Sequence, residues 1–341
     1  MLLKYLTLIL ALLLSMSSFA QEKNKKDSKT KEEKKKKEKK PPENIEFFPK
    51  NFLIRVKFIY PRVSVNVTNR STGIGKKFIY LPGIPGVVGL AVKIKKVYVS
   101  AGIQLPASDA LKKKYGISKF RNIAFNFRTR IVQWGLFYRD YDGFYLSTYK
   151  DYYPKWNQDS SGYPKAKGLR IVETGLNLGF NFNKKFSMNA AFSQGERQKK
   201  SAGSFLMGFS ERYQRINSDT SFVPPSQGEF YPNLDKFKYG NFLTTLISAG
   251  FGYQFVMKKL HFTPVLMAGT GIQFQGYAQT NRRRFRINIP TYASAIAQLG
   301  YNGDHFFSNI IYGRDFNTIP IKESRIRLFH HWFEVGMGMR F

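Results

Sequence analysis

The sequence predicts an all-β fold: a transmembrane antiparallel β-barrel of about 12 strands, with roughly 10–14 compatible with the turns. Three observations lead there. The C-terminal tail alternates strictly, with Phe333, Val335, Met337, Met339 and Phe341 on one parity and Glu334, Gly336, Gly338 and Arg340 on the other. A strand sends successive side chains to opposite faces, so the tail has one oily face and one small or polar face. The same pattern recurs along the chain, with no helical period that would supply a layer to cover the oily faces. Glycine, which weakens an ordinary strand, sits repeatedly on the polar face, where it leaves room for long Arg, Lys and Tyr side chains pointing inward. An open sheet edge in lipid leaves backbone groups unpaired at a cost of several kcal/mol each, so such a sheet must close. The competing architecture is a soluble lipocalin-like barrel with an apolar interior; the terminal aromatic residue, the aromatic richness and the basic polar face argue against it.

In chain order, residues 1–20 read as a secretory signal peptide. Lys4 supplies the positive start, Leu6 to Leu14 the apolar stretch, and Ser18-Phe19-Ala20 a small-x-small cleavage site before Gln21. The apolar run is shorter than the roughly 20 residues a spanning helix needs. The chain has no cysteine, which excludes a lipid-modified cysteine after the signal, disulfides and thiolate metal sites. Residues 21–46 read as a disordered basic linker on the periplasmic side. Within 21–40 there are 11 Lys against five acids, and Pro41-Pro42 follow; like charge and low hydrophobicity keep such a segment extended. Its possible partners are anionic periplasmic polymers, and a plain solvated spacer is the competing reading. The third segment, 47–341, is the outer-membrane β-barrel. Of the net +33, +7 lies within residues 1–40, leaving +26 on the remainder. A basic folded region suits membrane phosphate or an anionic solute. A nucleic-acid partner is not expected of an exported chain.

Several strands show alternation as clear as the tail. Ile123, Phe125 and Phe127 oppose Asn122, Ala124 and Asn126; Val172, Leu176, Leu178 and Phe180 oppose Glu173, Gly175, Asn177 and Gly179. Ala249, Phe251, Tyr253 and Phe255 oppose Ser248, Gly250, Gly252 and Gln254. The oily set is assigned to lipid and the other to the lumen. Short turns fall at Lys95-Lys96, Arg128-Thr129-Arg130, Asn183-Lys184-Lys185, Lys258-Lys259 and Asn302-Gly303-Asp304. Longer connections fall near 67–77, 106–117, 148–167, 216–240 and 280–286. Barrels of this kind have short periplasmic turns and longer external loops. A first count gives 13 strands, which cannot return both ends to the periplasm. Reading 184–215 as one upward passage with an irregular insert restores an even number.

Tyr138-Arg139-Asp140-Tyr141-Asp142-Gly143-Phe144-Tyr145-Leu146, Gln198-Lys199-Lys200-Ser201-Ala202-Gly203-Ser204 and Phe47-Phe48-Pro49-Lys50-Asn51-Phe52 resemble a Bacteroidota-type family catalogued as domain of unknown function 4421. The resemblance spans roughly 45–341. It implies an outer-membrane barrel, in the bacterial outer membrane, and supplies no catalytic residues or cofactor.

For chemistry, the chain has four His. Outer-membrane lipid hydrolases place a His two residues from a Ser on one strand face, so that the imidazole activates the hydroxyl. Here only His305 and Ser308 come near, at a spacing that puts them on opposite faces. The sequence therefore argues against an enzyme, and no cofactor or metal site is expected. His330 and Glu334 share a parity and are expected to meet in a lumen network. Glu173, Asn177, Glu334 and Arg340 are the luminal candidates, with Arg340 contributing an anion-attracting field and Glu173 and Glu334 neutralising it locally. Asp140 and Asp142 are expected to pair with Arg or Lys near the rim. Arg282, Arg283, Arg284 and Arg286, in an expected external loop, suit the phosphates of lipopolysaccharide, because guanidinium binds phosphate through two parallel hydrogen bonds. The tail set Phe333, Val335, Met337, Met339 and Phe341 is expected to be the signal read by the barrel-assembly machinery. The functional expectation is a membrane barrel of pore or transport type, favouring small anions. The alternatives are a closed structural or interaction barrel and, less favoured, a lipid-modifying enzyme.

Overall fold

A computed structural model describes residues 43–48, 52–69, 77–219, 221, 223–231, 234, 237–279, 282–322 and 324–341. The signal segment and nearly all of the Lys-rich stretch lie outside the described residues. The strands are β1 (Ile45–Phe47), β2 (Phe52–Asn69), β3 (Phe78–Leu81), β4 (Val87–Ile94), β5 (Val97–Gln104), β6 (Lys119–Arg128), β7 (Val132–Leu146), β8 (Lys165–Asn181), β9 (Glu196–Gln198), β10 (Ala202–Asn217), β11 (Phe237–Met257), β12 (Leu260–Gln279), β13 (Arg282–Asn288), β14 (Thr291–Asn302), β15 (Phe306–Ile321) and β16 (Ser324–Arg340). Twelve of them form a closed antiparallel barrel in the order β2, β4, β5, β6, β7, β8, β10, β11, β12, β14, β15, β16, with β16 pairing back onto β2. Closure satisfies the edges that lipid would leave unpaired.

The five short turns all lie at one end, and the long connections at the other, as the sequence implies. The long ones carry local structure: α1 (Asp109–Tyr115), α2 (Gln158–Ser161) and a 3₁₀ turn at Pro225–Phe230. Residues 182–201 form the expected insert. They hold α3 (Met188–Ser193), capped by the Ser187 hydroxyl accepting from the Ala190 amide, and β9, which pairs with β1. The residues placed at the end of the linker, 45 and 46, thus belong to a small two-stranded sheet. The segment 280–286 is not a loop as expected: Arg282–Asn288 is β13, paired with Gln273–Gln279 of β12. Its alternation is masked in the sequence because the arginine run occupies both parities.

The face assignments hold in the lower half. Phe180, Phe251 and Phe255 point outward and are exposed, while Thr244, Gln254, Gln273 and Gln298 are buried inside. The tail residues Phe333, Val335, Met337, Met339 and Phe341 all lie on the outer face. Several glycines face crowded space, as expected: a Cβ on Gly336 would meet the Arg55 guanidinium, and one on Gly313 the Trp332 ring.

The upper halves correct a uniform polar-inside reading. On β2, Leu53, Arg55 and Lys57 point inward below, but Val63, Val65 and Val67 point inward above. On β16, His330 and Glu334 are inside, yet Ile326 and Leu328 higher up are inside too, with Arg325 and Arg327 on the opposite parity. These strands run 17 and 18 residues, whereas spanning takes about 9–11. Where a strand leaves the membrane, water replaces lipid outside, and the apolar face turns to the interior. Phe78, Tyr80, Ile84, Phe120, Tyr149, Tyr231, Leu234 and Phe237 join the inward residues in one apolar core. Each large side chain fully buried there contributes about 1.5–3 kcal/mol, so among the described residues the long-loop end is filled by a packed core.

Candidate functional site: a basic chamber inside the barrel

The interior below that core is organised by charge. The His330 ring on β16 reaches across the lumen. Its Nε2 lies 2.8 Å from Glu173 Oε2 on β8, and its Nδ1 lies 3.0 Å from Asp315 Oδ1 on the neighbouring strand β15. Gln214 on β10 donates to Glu173 and accepts from Asn317 on β15 at 3.0 Å. This brace ties opposite walls and forms the floor of the apolar core. Buried polar groups of this kind are stable only when mutually satisfied.

At the short-turn end, the 182–201 insert fills the opening. Phe186 and Met188 pack against Ala202, Leu206 and Val265. Arg340 donates to the Gly303, Asp304 and Gln194 carbonyls and to Asn302 Oδ1, and its guanidinium carbon lies 3.4 Å from the centre of the Phe48 ring. Arg197 of β9 joins Glu46 and Asp304, and Lys259 donates to the same Asp304 at 2.7 Å. Hydrogen bonds from Lys259 and then Arg197 pull the Asp304 carboxyl down to about 2.

Between brace and insert lies a cavity of about 290 Å³. Arg128, Arg139 and Arg212 line it, with Asn177, Ser210, Tyr292 and Trp332 among the other walls. Arg128 donates to Ser193 of α3 at 2.5 Å, Arg212 donates to Ser210 at 3.1 Å, and Arg212 and Arg139 lie over the Tyr292 and Phe137 rings at 4.9 Å each. The Asp315 carboxylate also lines this space, but it is shared with His330. Further down, Glu334 takes both Arg55 and Lys57. Three guanidinium groups thus line one space, two of them over aromatic rings, with the Asp315 and Glu173 carboxylates the nearest opposite charges to Arg139 and Arg212.

Against the sequence expectations, Glu173 and Asn177 are luminal, one in the brace and one on the chamber wall. Glu334 is luminal but does not meet His330. Four residues along a strand separate side chains by about 13 Å, so each found partners on other strands. Arg340 is inward but lies below the chamber, its two terminal nitrogens bound to the Gln194 carbonyl of the insert and to the 302–304 turn. Asp140 pairs with Arg170 through two hydrogen bonds of 2.8 and 2.7 Å, as expected for the rim. Arg283 and Arg284 are exposed and Arg286 partly so, on β13. Sequence reading missed Asp315, Arg212 and the luminal role of Arg128, which it placed in a turn.

The fold and the walled basic lumen define a β-barrel of the outer-membrane type. The chain belongs to the family described as domain of unknown function (DUF4421), whose model matches residues 43–341. Among solved structures it is similar to the outer membrane protease OmpT from Escherichia coli, at 8% identity and TM-score 0.36, covering 86% of this chain and 98% of that one. It is also similar to the Pseudomonas putida toluene transporter TodX, at 10% identity and TM-score 0.29, covering 86% and 91%. A third is the translocator domain of the autotransporter NalP from Neisseria meningitidis, at 12% identity and TM-score 0.33, covering 84% and 88%. A search of curated proteins finds no match. One expectation is corrected by these comparisons. The sequence argued against an enzyme, but a protease is among the matched barrels, so that exclusion is withdrawn.

Proposed function

We propose that the chain is an outer-membrane barrel of pore or transport type, closed at rest, whose chamber accepts small anions. The observation that carries this reading is the convergence of Arg128, Arg139 and Arg212 on one cavity of about 290 Å³. That volume is at the lower end of small-molecule sites, which run from about 300 Å³ upward, so an ion of phosphate or short-carboxylate size is the natural occupant. Passage requires the 182–201 insert and the apolar core to move. A second reading, a non-conducting interaction barrel whose Lys-rich segment grips anionic periplasmic polymers, is favoured by the filling of both ends.

Trp332 on the chamber wall supplies the test. Titrating the refolded full-length protein with inorganic phosphate is expected to change its tryptophan emission. The R212Q variant should bind about tenfold more weakly, the loss of one charge-assisted contact. No response from the wild type, or the same curve from R212Q, would refute the chamber's role.

The reading includes export through a cleaved signal peptide and recognition of the outward tail by the barrel-assembly machinery. Phe341 extends the last strand, donating its amide to the Phe52 carbonyl at 2.9 Å, with the two rings 5.8 Å apart. Deleting Phe341 is expected to leave the protein degraded or in periplasmic aggregates, measured by membrane fractionation; unchanged outer-membrane levels would remove the tail from this role. The arginines of β13 are assigned to contact with lipopolysaccharide phosphate.

A further inference from the structure

The outer wall carries a second feature that the chamber does not explain. On β11, β12 and β14 the lipid-facing positions Ala249, Ala268, Ala293 and Ala295 are all small. They floor a groove of about 650 Å³, flanked by Phe205, Phe251 and Leu266 on one side and Phe316 and Phe329 on the other. Arg314 of β15 also lines it, with its guanidinium carbon 5.1 Å from the centre of the Phe329 ring. His331 pairs with Arg314 on one side and with Arg62 of β2 on the other, so three basic side chains stand in one row on the outer face.

That row has a definite depth. Below it, β2 presents Val56, Phe58 and Tyr60 outward. From Val63 on β2 and Leu328 on β16 upward the inward positions turn apolar, the change that marks these strands leaving lipid. Phe316 and Phe329 stand one step above the row on the outer face. The row therefore sits at the upper edge of the apolar band, just under an aromatic pair of the kind that girdles such barrels at the interface, and within reach of the outer lipid headgroups. Arginine on a lipid face is costly at the midplane and nearly free at the interface, so its position there is permissive, and its clustering beside an alanine-floored groove is what needs a reason. Smooth lipid packing would be served by larger apolar side chains at those four positions.

The geometry points to a lipid-binding site: the groove holds an acyl chain, and Arg62, Arg314 and His331 hold the phosphate of the same molecule. The occupant that fits is a phosphorylated, multiply acylated glycolipid of the lipid A type, in the outer leaflet. Charge complementarity selects the phosphate, and Arg314, which lines the groove itself, selects a molecule with both parts joined. The cation–π contact with Phe329 pre-orients Arg314. Nearby β13 with its arginines rises from β12, the strand that supplies Leu266 and Ala268.

The test counts retained lipids by native mass spectrometry, on full-length protein taken from phosphatidylethanolamine nanodiscs. These contain equal fractions of bisphosphorylated lipid A, dephosphorylated lipid A or phosphatidylglycerol. Wild type should retain the bisphosphorylated form at least about tenfold over the dephosphorylated one. The R62Q/R314Q variant should lose that preference, and A295F, which fills the groove without touching charge, should reduce retention of both lipid A forms. Equal retention of phosphorylated and dephosphorylated lipid by wild type would overturn the proposal, and that comparison needs no variant to fold. So would phosphatidylglycerol held as well as lipid A, or unchanged retention by both variants.

Discussion

Replacing Glu334 by alanine is expected to destabilise the barrel by about 3–5 kcal/mol, the cost of breaking a buried ion pair from one side. Arg55 is 2% exposed and has the Glu334 carboxylate as its ionic partner, and Lys57 Nζ lies 3.7 Å from the other oxygen. The variant leaves two cations inside a wall they cannot leave. Urea titration of refolded protein, followed by the shift in gel mobility between folded and unfolded barrels, measures the change. The Glu334→Gln variant keeps the acceptor without the charge and should fall between. An unchanged midpoint for the alanine variant would show that water reaches this part of the lumen freely.

The second large effect concerns the wall. Phe251 is 54% exposed on the lipid face, so Phe251→Arg should cost about 2–4 kcal/mol if it lies near the midplane. Asn177 faces the chamber and accepts from the Ser210 hydroxyl at 2.5 Å; Asn177→Arg adds charge to a space that already holds guanidinium groups and should be milder. The same unfolding assay in lipid vesicles compares them. If Phe251→Arg folds like wild type while Asn177→Arg does not, the register of these strands is inverted.

Much of this architecture is legible in the residues. The tail, the 249–255 stretch and the 172–180 stretch state their faces openly, because lipid outside and crowding inside impose opposite demands on alternate positions. The turns sort by length, and the odd strand count itself located the insert. What is not legible has definite causes. The interior changes polarity along a single strand, as between Glu334 and Ile326, because the medium outside changes from lipid to water while the alternation continues unbroken. Asp315 escapes notice because Phe307, Ile311 and Ile319 share its parity and mask it as oily. Arg212 lies in the stretch whose direction was ambiguous. The brace joins β8, β15 and β16, and no local pattern reports a contact made across a barrel.

The chamber is the centre of this account, and the ion preference of the whole protein tests it most directly. Purified full-length protein in a planar bilayer under a KCl gradient should show brief openings from a closed state, with a reversal potential displaced toward that of chloride. The displacement should shrink between 0.1 M and 1 M salt, as the screening length falls from about 10 Å to about 3 Å. A reversal potential displaced toward that of potassium, or the absence of any opening, would contradict a basic chamber that passes anions.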